Sequence, residues 1–496
     1  MSHLFKKNKK FLKITRLLLF LTFSFIFLKT IFLYSGNKII YFLFSIISFY
    51  LIIFSFRKKS LFYENFFGVF LLLGFWSKLS FILILKTNFT EGWDGQNIVP
   101  PNIFDNALIS SSIGILGFII FGHLRELFFS YPTKLNFNID TKFYETNRKL
   151  ILIFFVFLFV IISYINNYFQ IYQRGLIGQS YNFIFSGFVK TSLLYFLSLC
   201  SAIILYYEAA CFKRIFLFIF LLVFLEIFLS SVSMLSRGMI FNSFALVFAF
   251  YKLSNKINLK INYSYFLKVI SILILIFVTS IFYINQIRIN IHSDINANNQ
   301  KEILNINEEK INKSKNDLIF SKKVINFLNK SIYRFKHLLI HRWVGIDSMI
   351  VINNHRDKLS LNLFKDSIKD KFDPNSLSFY EKTFNIYPQD HYSSISRKKG
   401  NTLPGLIAFL FFSGSYIFLF FMMMCFSLVA FIFEYLMFKS SAKNLFASAL
   451  IAMVVTYRFA HFGYLPAQSY LLFGSLISII TIFFIIRIIA KIYKKN

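Results

Sequence analysis

Residues 266–285 read FLKVISILILIFVTSIFYIN, an apolar run whose one charged side chain is Lys268, near its start. A helix of that length rises about 30 Å, the thickness of a bilayer's hydrocarbon core. The pattern then changes. From about Gln286 to Asn401 the chain is polar and charged, with no comparable run. A membrane-length run followed by one long polar segment sets the reading of the whole chain.

Similar runs recur on both sides of it. Candidate spans are 17–34, 38–56, 61–85, 105–129, 150–168, 187–209, 214–235, 237–251, 266–285, 414–438, 444–462 and 467–489. Hydrophobic residues make up 56% and aromatic residues 20% of the 496 positions, more than a water-facing core uses. The expected fold is an all-α polytopic membrane protein of about twelve transmembrane helices. It divides into helices 1–9 over 1–285, a large extracytoplasmic loop over 286–401, and a re-entrant or interfacial segment with helices 10–12 over 402–496. The stretch from Leu17 to Tyr34 is too long for a signal peptide's apolar region, and no small-residue cleavage site follows it. It is expected to stay as the first helix.

Loop charge sets the orientation. With the N-terminus inside, cytoplasmic segments collect Lys6, Lys7, Lys9, Lys10, Arg57, Lys58, Lys59, Lys134, Lys142, Arg148, Lys149, Lys213, Arg214, Lys252, Lys256, Lys260, Lys494 and Lys495. Short outer loops collect Lys38, Lys86, Arg174, Arg237 and Arg458. That asymmetry puts both termini in the cytoplasm. The 286–401 segment then lies outside; long loops escape the charge rule, so its lysines raise no conflict. Because topology accounts for most of the net charge of +32, no nucleic-acid partner is inferred from it.

The loop has internal texture. Ile287 to Lys315 is rich in Asn, Ile, Lys and Glu and reads as a low-complexity or mobile linker. From Asp317 to Asn353, apolar residues Ile325, Leu328, Ile332, Phe335, Leu339, Trp343, Ile346 and Ile350 recur at helical steps. Lys322, Lys323, Lys330, Arg334, His337 and His341 occupy other faces. This predicts a basic amphipathic helix that lies among headgroups or docks on the bundle. The apolar stretch from Asn401 to Ser413 is short enough to be re-entrant or interfacial.

Chemistry-bearing motifs of soluble enzymes are missing: there is no P-loop, dinucleotide fingerprint, GxSxG elbow or HExxH. Cys200, Cys211 and Cys425 lack disulfide or metal spacing. His337 and His341 are at i,i+4 spacing without an evident third ligand, so no metal or cofactor is expected. Outer-side arginines are more informative, since a guanidinium grips phosphate or carboxylate oxygens in a bidentate way that lysine cannot. Arg237 sits in the turn Ser233-Met-Leu-Ser-Arg-Gly-Met239, Arg342 in His341-Arg-Trp-Val-Gly345, and Arg458 in Thr456-Tyr-Arg-Phe-Ala-His461. Arg174 and Arg397 lie in outer loops. Each has a plainer reading: Arg237 snorkelling to headgroups, Arg342 anchoring a helix, Arg458 pairing with Glu226 or Glu434, Arg174 and Arg397 solvated. Glu226, inside an apolar run, is either functional or bonded to a neighbouring Ser or Tyr. Lys29 and Lys78 are less specific, and Glu91 with Asp94 binds sugar or a cation or marks a solvated turn.

The layout, the Ser236-Arg-Gly238 turn before an apolar helix, and Thr402-Leu-Pro-Gly405 leading to Ser413-Gly414 resemble bacterial O-antigen polymerases. The topology covers the whole chain, while the motifs are short. The resemblance implies a metal-independent membrane glycosyltransferase of the bacterial inner membrane. It would polymerise undecaprenyl-pyrophosphate-linked oligosaccharide repeat units into O-antigen (the lipopolysaccharide side chain) or another surface polysaccharide. Lipid-linked glycans, the bilayer, a flippase and a chain-length regulator are the partners implied. Arg237, Arg342 and Arg458 are then expected to stabilise the leaving pyrophosphate. His337, His341 or Glu226 would activate the acceptor hydroxyl. Arg174, Arg397 and Trp343 are expected to contact substrate. An O-antigen ligase shares this topology and chemistry, and a flippase or other transporter is the alternative of a different class. The transporter reading lacks the expected internal duplication.

Overall fold

The computed structural model describes Leu18, residues 20–87, Phe89, and residues 99–132, 141–173, 181–213, 215–257, 263–304, 343–369, 378–386, 403–462 and 466–493. Among these residues the chain is helical and contains no strand. The apolar helices in chain order are α1 (Phe20–Leu33), α2 (Lys38–Ser55), α3 (Phe62–Leu85), α4 (Pro101–Phe128), α5 (Lys142–Phe169) and α6 (Ile184–Phe212). They continue with α7 (Leu217–Ser233), α8 (Ile240–Ile257) and α9 (Tyr263–Leu304). Between α9 and the last apolar helices come four short ones: α10 (Ile346–Asn354), α11 (Leu361–Lys369), α12 (Phe379–Phe384) and α13 (Leu406–Leu410). The final three are α14 (Tyr416–Ser440), α15 (Leu445–Ala460) and α16 (Pro466–Tyr493).

Eight of these helices are long and apolar enough to cross a membrane: α2 to α6, α9, α14 and α16. Four shorter apolar helices fall at α1, α7, α8 and α15. The protein is therefore a multi-pass, all-α membrane protein. Its outward faces carry exposed Phe25, Phe32, Ile153, Phe157, Phe484 and Ile486, an apolar surface that suits a lipid surround.

Packing centres on α15. Twelve of its sixteen residues are buried, and it touches α3, α6, α8 and α14. Small residues Ala447, Ser448, Ala449 and Ala452 let those helices come close, the usual solution where lipid supplies no hydrophobic drive between helices. The caps follow from sequence: Asn444 accepts from the Phe446 and Ala447 amides, and Pro101 opens α4 where no amide donor is needed. The start of α3 is capped at long range, with the Glu434 carboxylate of α14 accepting from the Phe62 and Tyr63 amides at 2.8 and 2.7 Å.

One end of the bundle is tied by charge. Buried Glu64 of α3 pairs with Arg125 of α4 and with Arg57, which also pairs with Glu126. Nearby, Arg148 of α5 pairs with Glu208 of α6. We call this the basic end, and the opposite end, where α10 to α13 pack, the loop end.

Two expectations about the loop are corrected. The linker predicted from Ile287 is helical as far as Leu304, because α9 runs on without a break. No Gly or Pro interrupts residues 263–304, and Asn-rich composition alone does not stop a helix. The helix predicted to continue to Asn353 is broken at residues 343–345, so Ile346 and Ile350 belong to a separate helix, α10. That helix is not amphipathic in use: Ile346 to Asn353 are all buried. The stretch after Leu403 forms α13 and a 3-10 turn at Phe411–Ser413, both enclosed by protein. Phe364 of α11 and Tyr380 of α12 stack on this turn region through Phe409 and Phe412.

Candidate functional site

The loop end is built around an irregularity in α3. Residues Leu73–Ser77 form a π turn, which leaves Gly74 facing the loop segment. A Cβ on Gly74 would lie 2.2 Å from the Val344 carbonyl oxygen, and one on Gly345 would lie 2.5 Å from the Gly74 carbonyl oxygen. Only two glycines permit this backbone-to-backbone approach. One turn on, Lys78 points into the same contact. Its Nζ donates to the Trp343 carbonyl at 2.8 Å and pairs with Asp347 of α10 at 2.9 Å, both side chains being almost wholly buried. Gly405, at φ +76°, closes the third side: its amide donates to the Phe462 carbonyl at 3.0 Å, and Val344 packs on it. A cavity of about 10 Å³, room for one water, remains among Phe70, Phe75, Val344, Gly345, Gly405 and Ala460.

An aromatic cluster adjoins this joint. Phe70 of α3 meets Phe241 of α8 at 5.4 Å, Trp343 at 6.4 Å and Tyr457 of α15 at 6.0 Å between ring centroids. Phe241 meets Trp343 at 6.2 Å and Tyr457 at 5.4 Å, and Tyr457 stacks on His461 at 4.4 Å. The cluster gathers the segments flagged by the arginines. Phe241 lies four residues after Arg237, Trp343 follows Arg342, and Tyr457 precedes Arg458.

The local fold shapes the backbone turn that carries Arg237. Helix α7 ends at Ser233 and is followed by Leu235 at φ +49°, and the Ser236 amide donates back to the Ser231 carbonyl at 2.8 Å. That left-handed stop turns the chain sharply into the 3-10 turn Arg237–Met239, which leads straight into α8. Arg458, half-buried in the last turn of α15, donates from Nε to Ser469 of α16 at 2.8 Å. Its sequence-predicted carboxylate partners are engaged elsewhere. Glu434 caps α3, and Glu226 accepts from Ser198, Ser201 and Ser230. Glu226 is seven residues before the end of α7, about 10 Å from that end by helical rise.

Arg174, His337, His341, Arg342 and Arg397 lie outside the described residues, as do Glu91 and Asp94. The joint's own residues, Gly74, Lys78, Gly345 and Asp347, carried little signal in the sequence. A lysine inside an apolar run was visible, but its partner lies in a distant segment. Among the described residues, no group of three or more His, Cys, Asp or Glu side chains is placed to hold a metal.

No protein-family model matches the chain, and neither a curated protein nor a solved structure is significantly similar to it.

Proposed function

We propose that the protein polymerises undecaprenyl-pyrophosphate-linked repeat units into O-antigen or a related surface polysaccharide at the outer face of a bacterial inner membrane. In this reading the four shorter apolar helices also span, giving twelve spans with both termini inside and the loop end outside. The observation that carries it is the convergence on one aromatic cluster of the turn bearing Arg237, the segment following Arg342, and the helix end bearing Arg458. These elements lie at the end remote from the Arg57, Arg125 and Arg148 ion pairs, as the positive-inside rule requires of an outer site.

A polymerase transfers a growing glycan from its lipid pyrophosphate to a sugar hydroxyl of the next unit. The bond that breaks joins the anomeric carbon to pyrophosphate, so negative charge grows on the leaving group. Fixed guanidinium groups at that point lower the barrier, and losing one such donor costs about 10²–10³ in rate. Trp343 is assigned to contacting a sugar of the substrate. His337 and His341 are assigned to activating the acceptor hydroxyl.

The glycan ladder of a deletion strain tests the reading. Surface lipid carrying single repeat units is expected, with full ladders restored by the intact gene. Free lipid-linked polymer would instead mean a ligase, and repeat units trapped on the cytoplasmic side would mean a flippase.

A further inference from the structure

Glu226 differs from the other buried carboxylates of the bundle. Glu64 and Glu208 have arginines, Glu434 has two backbone amides and the Tyr131 hydroxyl, Asp347 has Lys78, and Glu381 has the Ser378 amide and hydroxyl. Glu226 is fully buried in α7, and its partners are three serine hydroxyls: Ser198 and Ser201 of α6 and Ser230 one turn on. The titratable neighbour is the Cys200 thiol of α6; α5, α8 and α9, which also pack on α7, bring no charged group into its field among the described residues.

The distances are informative. Ser198 and Ser201 Oγ each lie 3.4 Å from Oε2, and Ser230 Oγ lies 3.2 Å from Oε1. A hydroxyl bonded to a carboxylate normally sits at about 2.5–3.0 Å. These contacts are longer, which leaves the carboxylate held by neutral hydroxyls alone, with no cationic side chain beside it among the described residues. The donor set is all oxygen and carries one negative charge, so a single positive charge neutralises it in a medium where net charge is costly. Asn242 of α8 donates to Ser198 Oγ at 3.3 Å and to the Leu194 carbonyl at 3.1 Å, steadying that ligand from behind. Leu194 belongs to a second π turn, Ser192–Phe196, whose loosened carbonyl this bond takes up.

We propose that Glu226, Ser198, Ser201 and Ser230 form an intramembrane Na+ site joining α6 and α7, with Asn242 as its outer support. The site stands independently of the polymerase reading. Asn242 adjoins Phe241 of the aromatic cluster, so cation binding also braces the helix that follows Arg237.

Thermal unfolding of the full chain in detergent, in NaCl, KCl or choline chloride at equal ionic strength, tests this. Na+ alone is expected to raise the Tm, and Glu226→Gln to abolish the increment. Ser201→Ala and Ser230→Ala keep the carboxylate and are expected to raise the half-saturating Na+ concentration about tenfold or more. Infrared difference spectra of wild type against Glu226→Gln should show a carboxylate band in Na+. Equal Tm in all three salts, with a carboxylic C=O band lost in Glu226→Gln, would overturn the proposal and assign a proton to the site instead.

Discussion

Lys78 and Asp347 are two charges taken almost wholly out of water, and their value lies in position more than in energy. The pair's own attraction is offset by desolvation, whereas removing one partner leaves the other stranded. Lys78→Met or Asp347→Leu alone is expected to destabilise the protein by about 3–5 kcal/mol. The double substitution is expected to recover much of that loss, since two apolar side chains replace the pair. Tm measurements in detergent check it, and additive losses would contradict it. Sequence made half of such pairs legible. Lys78 and Glu226 stand out because they interrupt apolar runs, and Ser230 is visible as Glu226's neighbour one turn on. Asp347, Ser198 and Ser201 reach these positions from other helices, which a single sequence does not reveal.

At the scale of elements, the apolar runs became helices because their spacing and composition leave the backbone no other way to satisfy its amides in lipid. The loop was harder to read. Its helical periodicity crosses Trp343 to Gly345 without a visible interruption, yet the chain bends there so that Gly345 can touch Gly74. Gly345 gave the signal for that break, but a single glycine within a periodic stretch is tolerated often enough to be passed over. Conversely, the Asn-rich stretch after Asn285 lacked any breaker and stayed helical to Leu304. The docking of α10 to α13 makes a directional prediction. In a cysteine-free background, Lys365→Cys on exposed α11 should react with a membrane-impermeant maleimide on intact spheroplasts. Lys58→Cys, exposed between α2 and α3, should react only after permeabilisation. The reverse pattern would invert the orientation.

For the whole molecule, charge and packing divide the labour between two ends. The basic end holds α2 to α6 by buried ion pairs, and the loop end holds α3, α8, α15 and the docked segment by glycine contacts and stacked rings. The central claim is that arginines carried by three separate segments serve one pyrophosphate at the loop end. The most direct test is the chain-length distribution of surface glycan in a deletion strain carrying Arg237, Arg342 or Arg458 changed to Ala, and separately to Lys, at matched protein levels. Each Ala variant is expected to yield mostly single-repeat or very short chains, a rate loss of about 10²–10³, with Lys restoring at most a part. Wild-type chain length in all of these variants would contradict the account.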